Sequence, residues 1–197
     1  MSRVVADLGN SRLKCAFLAD DDTLSDALAL PLDAPDSWSE RLGRHGFDDP
    51  GHRWAIASVN PPVAEAFRRL LGTFGTTDVR LYDNATQVPV RHALDRLERA
   101  GVDRALAVWE AVERHPAGQP GHVVLCGSAL VVERITADGV WRGGAIAPGL
   151  HLSARALNLL TAMLPLVDPG TEPPPCGSET ENARPCPQRH GACAGEP

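Results

Sequence analysis

Two short apolar runs open the chain. "RVVAD" (3–7) and "RLKCAFLA" (12–19) have the length and apolar content of strands, and "LGNS" between them is a Gly/Asn turn, so a hairpin is expected at once. A third short run, "RWAIASV" (53–59), reads as a buried strand. "PPVAEAFRRLLGTFG" then changes period: Val63, Ala66, Phe67, Leu70 and Leu71 share one helical face, Pro62 suits the first turn, and Gly72 is placed to close the end. "DVRLYD" is another short strand. The segment 91–115 has a helical pattern interrupted at Gly101, with Ala105, Val108, Trp109 and Val112 at helical spacing after it.

"PAGQPG" (116–121) is a linker by composition and a candidate boundary between an N-terminal lobe, 1–117, and a second lobe, 118–168. "HVVLCGSALVVERIT" reads as strand, tight turn, strand. "GVWRGGAIAPGL" reads as a Gly-rich loop that lets a ligand or another backbone pass closely, and "HLSARALNLLTAMLP" (151–165) as an amphipathic helix ended by Pro165. After Val167 no Val, Leu, Ile, Met, Phe, Tyr or Trp remains, and seven of the 17 prolines lie between 169 and 197. A segment without apolar side chains to bury has nothing to offset its ordering entropy, so this Pro/Cys-rich tail is expected to be disordered.

The second hairpin repeats the first. With Gly9 set over Gly127, "VVADLGNS" meets "HVVLCGSA", and Asp7 meets Leu125. Two strand–turn–strand units in this relation suggest two related lobes.

Composition narrows the class. The chain has 197 residues, 43% hydrophobic and 22% charged, with a net charge of −6. That is enough for one large domain or two lobes, and an acidic balance argues against nucleic acid as the main partner. With no long apolar run and no signal-peptide layout, neither a membrane span nor export is expected, which leaves the cytoplasm. Of five cysteines, Cys15 and Cys126 lie in apolar runs and read as small buried hydrophobes. Cys176, Cys186 and Cys193, with His190, have no standard zinc spacing.

Three stretches carry candidate chemistry. In "DLGNSRLK" the turn offers backbone N–H groups to phosphate oxygens, with side-chain donors from Asn10 and Ser11 and a positive charge from Lys14. Asp7 would meet phosphates only through a hydrated Mg²⁺; equally, it is an ordinary turn aspartate accepting local N–H bonds. In "GVDR" Asp103 is either a helix cap or a general base, and Arg104 is suited to an anionic substrate group. "GGAIAPGL" supplies a wall rather than an acid or base.

Taken in order, "DLGNSRLK", "GVDRALAVWEA", "CGSA", "GGAIAPGL" and "TAMLP" resemble the type III pantothenate kinases, over residues 3–167. The resemblance implies an α/β fold of two ribonuclease-H-like lobes in the acetate-kinase/Hsp70/actin group of ATP-binding proteins. It implies transfer of the ATP γ-phosphate to the terminal hydroxyl of pantothenate, the first step of coenzyme A synthesis. Asp7, Gly9, Asn10 and Ser11 would form the first phosphate loop, with Mg²⁺ near Asp7 and Lys14 beside it. Gly127 and Ser128 would lie in the second phosphate loop. Gly101, Val102, Asp103 and Arg104 would hold pantothenate, with Asp103 as base and Arg104 on the carboxylate, and Thr161 would touch the substrate. A homodimer and a monovalent cation, K⁺ or NH₄⁺, are also implied.

The chain departs from the family pattern in its second loop. The family reads Asp-x-Gly-Thr-Ala, with the Asp helping to hold the monovalent cation; here Leu125 replaces that Asp and Ser128 the Thr. The family's following Thr and Asp fall at Val131 and Glu133. The second lobe is also expected to be cut short, which would expose the apolar face of 151–165. These departures keep a second reading open: a non-catalytic, nucleotide- or protein-binding regulatory relative of the same fold.

Overall fold

The computed structural model describes residues 2–114 and 118–168. The chain divides into two compact units, one of Met1–Val123 with Glu133–Gly143, the other of Val124–Val132 with Gly144–Pro197. The class is mixed α/β with two separate sheets, as expected. The expected disordered tail, with Cys176, Cys186, Cys193 and His190, lies outside the described residues, as do 115–117 at the linker. Among the described residues no helix is long and apolar enough to cross a membrane.

In the first unit a five-stranded sheet has the order β3-β2-β1-β4-β5. Its strands are β1 (Arg3–Leu8), β2 (Arg12–Leu18), β3 (Leu24–Pro31), β4 (Arg53–Ser58) and β5 (Val79–Tyr82). β1 pairs antiparallel with β2 and parallel with β4. Strand alternation decides what each face receives. In β1, Val4, Ala6 and Leu8 are buried while Asp7 is exposed; in β4, Trp54, Ile56 and Ser58 are buried. These side chains meet helices α1 (Trp38–Arg44) and α2 (Pro61–Thr73) in a core built on Trp38, Leu42, Phe47, Phe67 and Leu71. The rings of Trp54 and Phe67 meet edge to face at 5.5 Å.

Ala57 and Val59 face the other way, toward a second core with Val102, Ala105 and Val108 of helix α3 (Val102–Arg114) and with Ile135 and Trp141. The sheet is thereby covered on both faces, as its parallel strands require.

Three expectations change. Gly72 lies inside α2; the helix is capped at its start by the Asn60 side chain and followed by Gly75 at φ 81°. The pattern over 91–115 yields an α-helix only from Val102, after a single 3-10 turn at Leu97–Arg99. Before it, Arg91 O accepts Trp141 N–H at 2.8 Å and Ala93 N–H donates to Trp141 O at 2.9 Å, so this backbone is committed to an extended pairing that helical spacing could not override. The Gly-rich "WRGGAIAP" is not a loop but a strand, β8 (Trp141–Pro148), in a three-stranded sheet with β6 (Gly121–Cys126) and β7 (Ala129–Ile135).

In the second unit helix α4 (Leu150–Leu160) stops short of Pro165. Thr161 adopts an extended backbone, and its hydroxyl donates to Leu157 O at 2.7 Å, taking over a carbonyl at the helix end. Leu157, Leu159 and Leu160 of α4 are exposed, as is Met163 beyond its end. Cys126, expected to be buried, is exposed, whereas Cys15 is buried.

Candidate active site

The first loop follows directly from strand register. Asp7 is the direct cross-strand partner of Lys14, and Leu8 of Leu13, so the connection is tight, with Gly9 N–H donating to Arg12 O at 3.1 Å. Because Leu8 points into the core, Asp7 points out, and its Oδ2 lies 3.4 Å from Lys14 Nζ with about half of each side chain exposed (50% and 61%). At that exposure the pair is a weak restraint. A Cβ on Gly9 would meet nothing nearer than Arg12 O at 3.7 Å, ordinary contact, so the fold itself leaves room for a side chain there.

Val59 links this turn to the second motif. Its N–H donates to Leu8 O at 3.2 Å, and its Cγ1 stands 3.3 Å from where a Cβ on Gly101 would be. The turn after β1 and the start of α3 thus meet at the carboxyl ends of the parallel strands β1 and β4, where open α/β sheets bind their ligands.

Gly101 caps α3, its carbonyl accepting Ala105 N–H at 3.2 Å. The Asp103 carboxylate folds back over it: Oδ1 accepts Arg104 N–H at 2.8 Å and sits 2.3 Å from a Cβ that any other residue would carry. The missing side chain at 101 is therefore what makes room for the carboxylate. Asp103 is exposed. Asp103 does serve the helix start, but this leaves its second oxygen to other partners.

Arg104 turns inward. Its Nε donates to Glu133 Oε1 at 2.5 Å, and its guanidinium lies over the Trp141 ring, 5.6 Å from the centroid. Its side chain keeps 19% exposure while Glu133 has 0%. Glu133 and Trp141 are not among the expected site residues. The signal for Glu133 was its parity: it shares one face of β7 with Val131 and Ile135, both buried.

The remaining expected residues belong to the second unit. Leu125 is half-buried on β6, and Gly127 and Ser128 are exposed in the turn after it. Gly127 N–H donates to Ala129 O at 3.0 Å. Here the close backbone approach expected of "APG" is real: Gly149 N–H donates to Ser128 O at 2.9 Å, and a Cβ at 149 would stand 2.1 Å from Gly127 O. Thr161 is exposed and engaged with the end of α4.

The donors fit one implied ion and not the other. Asp7 offers an exposed carboxylate, the hard oxygen donor that a hydrated Mg²⁺ accepts through its waters, and no group of three or more His, Cys, Asp or Glu among the described residues forms a protein cage. Leu125 offers no side-chain oxygen to a monovalent cation.

Comparison with known proteins bears on the family. The family model for type III pantothenate kinase matches residues 3–184. A type III pantothenate kinase of Porphyromonas gingivalis is 35% identical over 183 residues, covering 91% of this chain and 71% of that protein. One from Synechococcus elongatus is 32% identical over 187 residues, covering 93% and 71%. Among solved structures, MreB 5 of Spiroplasma citri bound to AMPPNP aligns with 10% identity and a TM-score of 0.38, over 69% of this chain and 49% of that one, too loose a likeness to bear on function. These matches make the chain a small-molecule kinase by family, and the family it belongs to is that of the type III pantothenate kinases.

Proposed function

We propose that this protein phosphorylates pantothenate with ATP, giving 4′-phosphopantothenate in the first step of coenzyme A synthesis. The observation that carries the reading is the junction through Val59, which sets the turn after β1 beside the Gly101–Arg104 helix start. The backbone N–H groups of Asn10 and Ser11, with Lys14, would hold phosphate oxygens, while Gly9, whose own N–H is taken by Arg12 O, would let the nucleotide approach the backbone closely. Asp7 would hold Mg²⁺ through its waters, and the bound ion would neutralise phosphate charge. Gly127 and Ser128 would contact the nucleotide as well.

Gly101 and Val102 would seat pantothenate, Thr161 would touch it, and the guanidinium of Arg104 would pair with its carboxylate. The Asp103 oxygen not engaged by Arg104 N–H would take the proton from the terminal hydroxyl. As that proton leaves, the hydroxyl oxygen bonds to the γ-phosphorus and the bond to ADP breaks in line. Family resemblance further supports a cytoplasmic location and a homodimer, and light scattering of purified protein would test the homodimer. No step is routed through a monovalent cation, since Leu125 supplies it no oxygen.

Purified protein incubated with ATP, Mg²⁺, K⁺ or NH₄⁺ and pantothenate is expected to release ADP only when pantothenate is present, and Asp103→Asn is expected to abolish that release. A second reading, a nucleotide-binding regulator, is favoured by Leu125 alone. It predicts no ADP release, with ATP still raising Tm.

A further inference from the structure

Glu133 is the one acidic residue buried among the described residues, and the chemistry proposed above does not use it. Its two oxygens have separate partners: Oε1 accepts from Arg104 Nε and Oε2 accepts Trp141 Nε1–H at 2.7 Å. Trp141, itself fully buried, also presents its ring to the Arg104 guanidinium. A buried carboxylate is tolerated only when paired and hydrogen-bonded, and this one is satisfied on both oxygens.

The way Arg104 is held is informative. An arginine serving only to neutralise Glu133 would be expected to present its fork to the carboxylate, two N–H groups to two oxygens. Here Nε bonds to one carboxylate oxygen, the second oxygen goes to the indole, and the Arg104 side chain keeps 19% exposure. A planar guanidinium fixed at Nε and laid on an aromatic face has little rotational freedom left, so the direction of its outer fork is set before any ligand arrives.

We propose that Glu133 and Trp141 are positioning residues that fix Arg104 with its Nη fork presented to the substrate carboxylate, and that this sets the preference for a substrate carrying a carboxylate over the same molecule without one. The proposal rests on Arg104 as the carboxylate's partner. Glu133→Gln keeps the shape but removes the charge and sets an amide against one of the two donors. Trp141→Phe keeps an aromatic face but removes the N–H and part of the ring, leaving a smaller side chain at a fully buried site.

The test measures KM for pantothenate, KM for ATP, and the ratio of kcat/KM for pantothenate to that for its primary-alcohol analogue. It compares the whole protein, Glu133→Gln, Trp141→Phe, Arg104→Lys and the double variant Glu133→Gln/Arg104→Lys. Glu133→Gln is expected to raise the pantothenate KM and lower the carboxylate-to-alcohol ratio about tenfold each, with the ATP KM changed less than about twofold. In the Arg104→Lys background the same change should add nothing, because its effect passes through Arg104. If Glu133→Gln fails to fold, Trp141→Phe carries the test, with a loss of about threefold in the same ratio. Equal movement of both KM values, an unchanged ratio, or a full penalty that persists in the Arg104→Lys background would overturn the positioning role while leaving the kinase reading intact. Absence of pantothenate-dependent ADP release in the unaltered protein is a different result. It removes the functional reading, and the proposal with it.

Discussion

Gly101→Ala separates folding from catalysis at one atom. The added Cβ would stand 2.3 Å from Asp103 Oδ1 and 3.3 Å from Val59 Cγ1. The valine contact needs a shift of only a few tenths of an ångström. The carboxylate must recede by about 1 Å to reach ordinary contact, and as the end of a flexible side chain it moves easily. The structural cost is then a solvent-exposed hydrogen bond to Arg104 N–H and a less favourable cap residue, together about 1–2 kcal/mol. The catalytic cost is larger, since a base misplaced by about 1 Å loses on the order of 10²-fold in rate. Steady-state kinetics and urea unfolding on the same sample should therefore show kcat down by roughly two orders of magnitude, the pantothenate KM changed much less, and a small drop in stability. A variant that folds normally and retains kcat within about threefold would refute the claim that Asp103 acts from the seat Gly101 provides.

Gly149→Ala should do the reverse: its Cβ would lie 2.1 Å from Gly127 O, a backbone atom that cannot swing away, so urea unfolding should show a loss of about 3 kcal/mol or a misfolded product. Burial pushes the Cys15 thiol from 9.0 up to about 12, so peptide mapping after iodoacetamide at pH 8 should find Cys126 alkylated and Cys15 untouched. The raised value carries a sign: the folded thiol holds its proton where the unfolded one has lost it, so the contribution is intact below pH 9.0 and declines toward pH 12, at up to about 1.4 kcal/mol per pH unit. Leu125→Asp returns an oxygen donor at the cation position and is expected to raise activity and make it K⁺-dependent; an increase in ADP release with NaCl replaced by KCl measures it, and no gain would place any shortfall elsewhere.

Elements whose faces differ in polarity were legible from sequence. The apolar run before the "LGNS" turn announced β1, while the outward direction of Asp7 emerged only with the burial of Val4, Ala6 and Leu8. Where local pattern and long-range pairing disagree, pairing prevails. Residues 91–100 carry helical spacing, yet Arg91 and Ala93 give their backbone groups to Trp141, a pairing that local sequence cannot know. Paired glycines in "WRGGAIAP" suggested a loop, but Gly143, at φ 73°, is accommodated within β8. The Gly101–Arg104 motif was visible as a string of residues, while its partner Glu133 was not, because the two come together only through the packing of β7 and α3.

The two motifs of the first unit depend on burial in opposite ways, and that bears on which substitutions a working enzyme tolerates. Asp7 and Lys14 are half-exposed, so water compensates whatever either loses, and the fold would survive replacement of both. Arg104 and Glu133 share an interior in which removing one leaves the other charged and unpaired, a cost of about 3–5 kcal/mol. Loss of the first pair would be read in nucleotide handling alone. Loss of one member of the second would be read in stability and substrate recognition together. The first loop is therefore the cleaner place to test nucleotide chemistry by mutation, and the Arg104 site requires a double-mutant design, because only the coupling between Glu133 and Arg104 separates orientation of the substrate carboxylate from the cost of an orphaned charge.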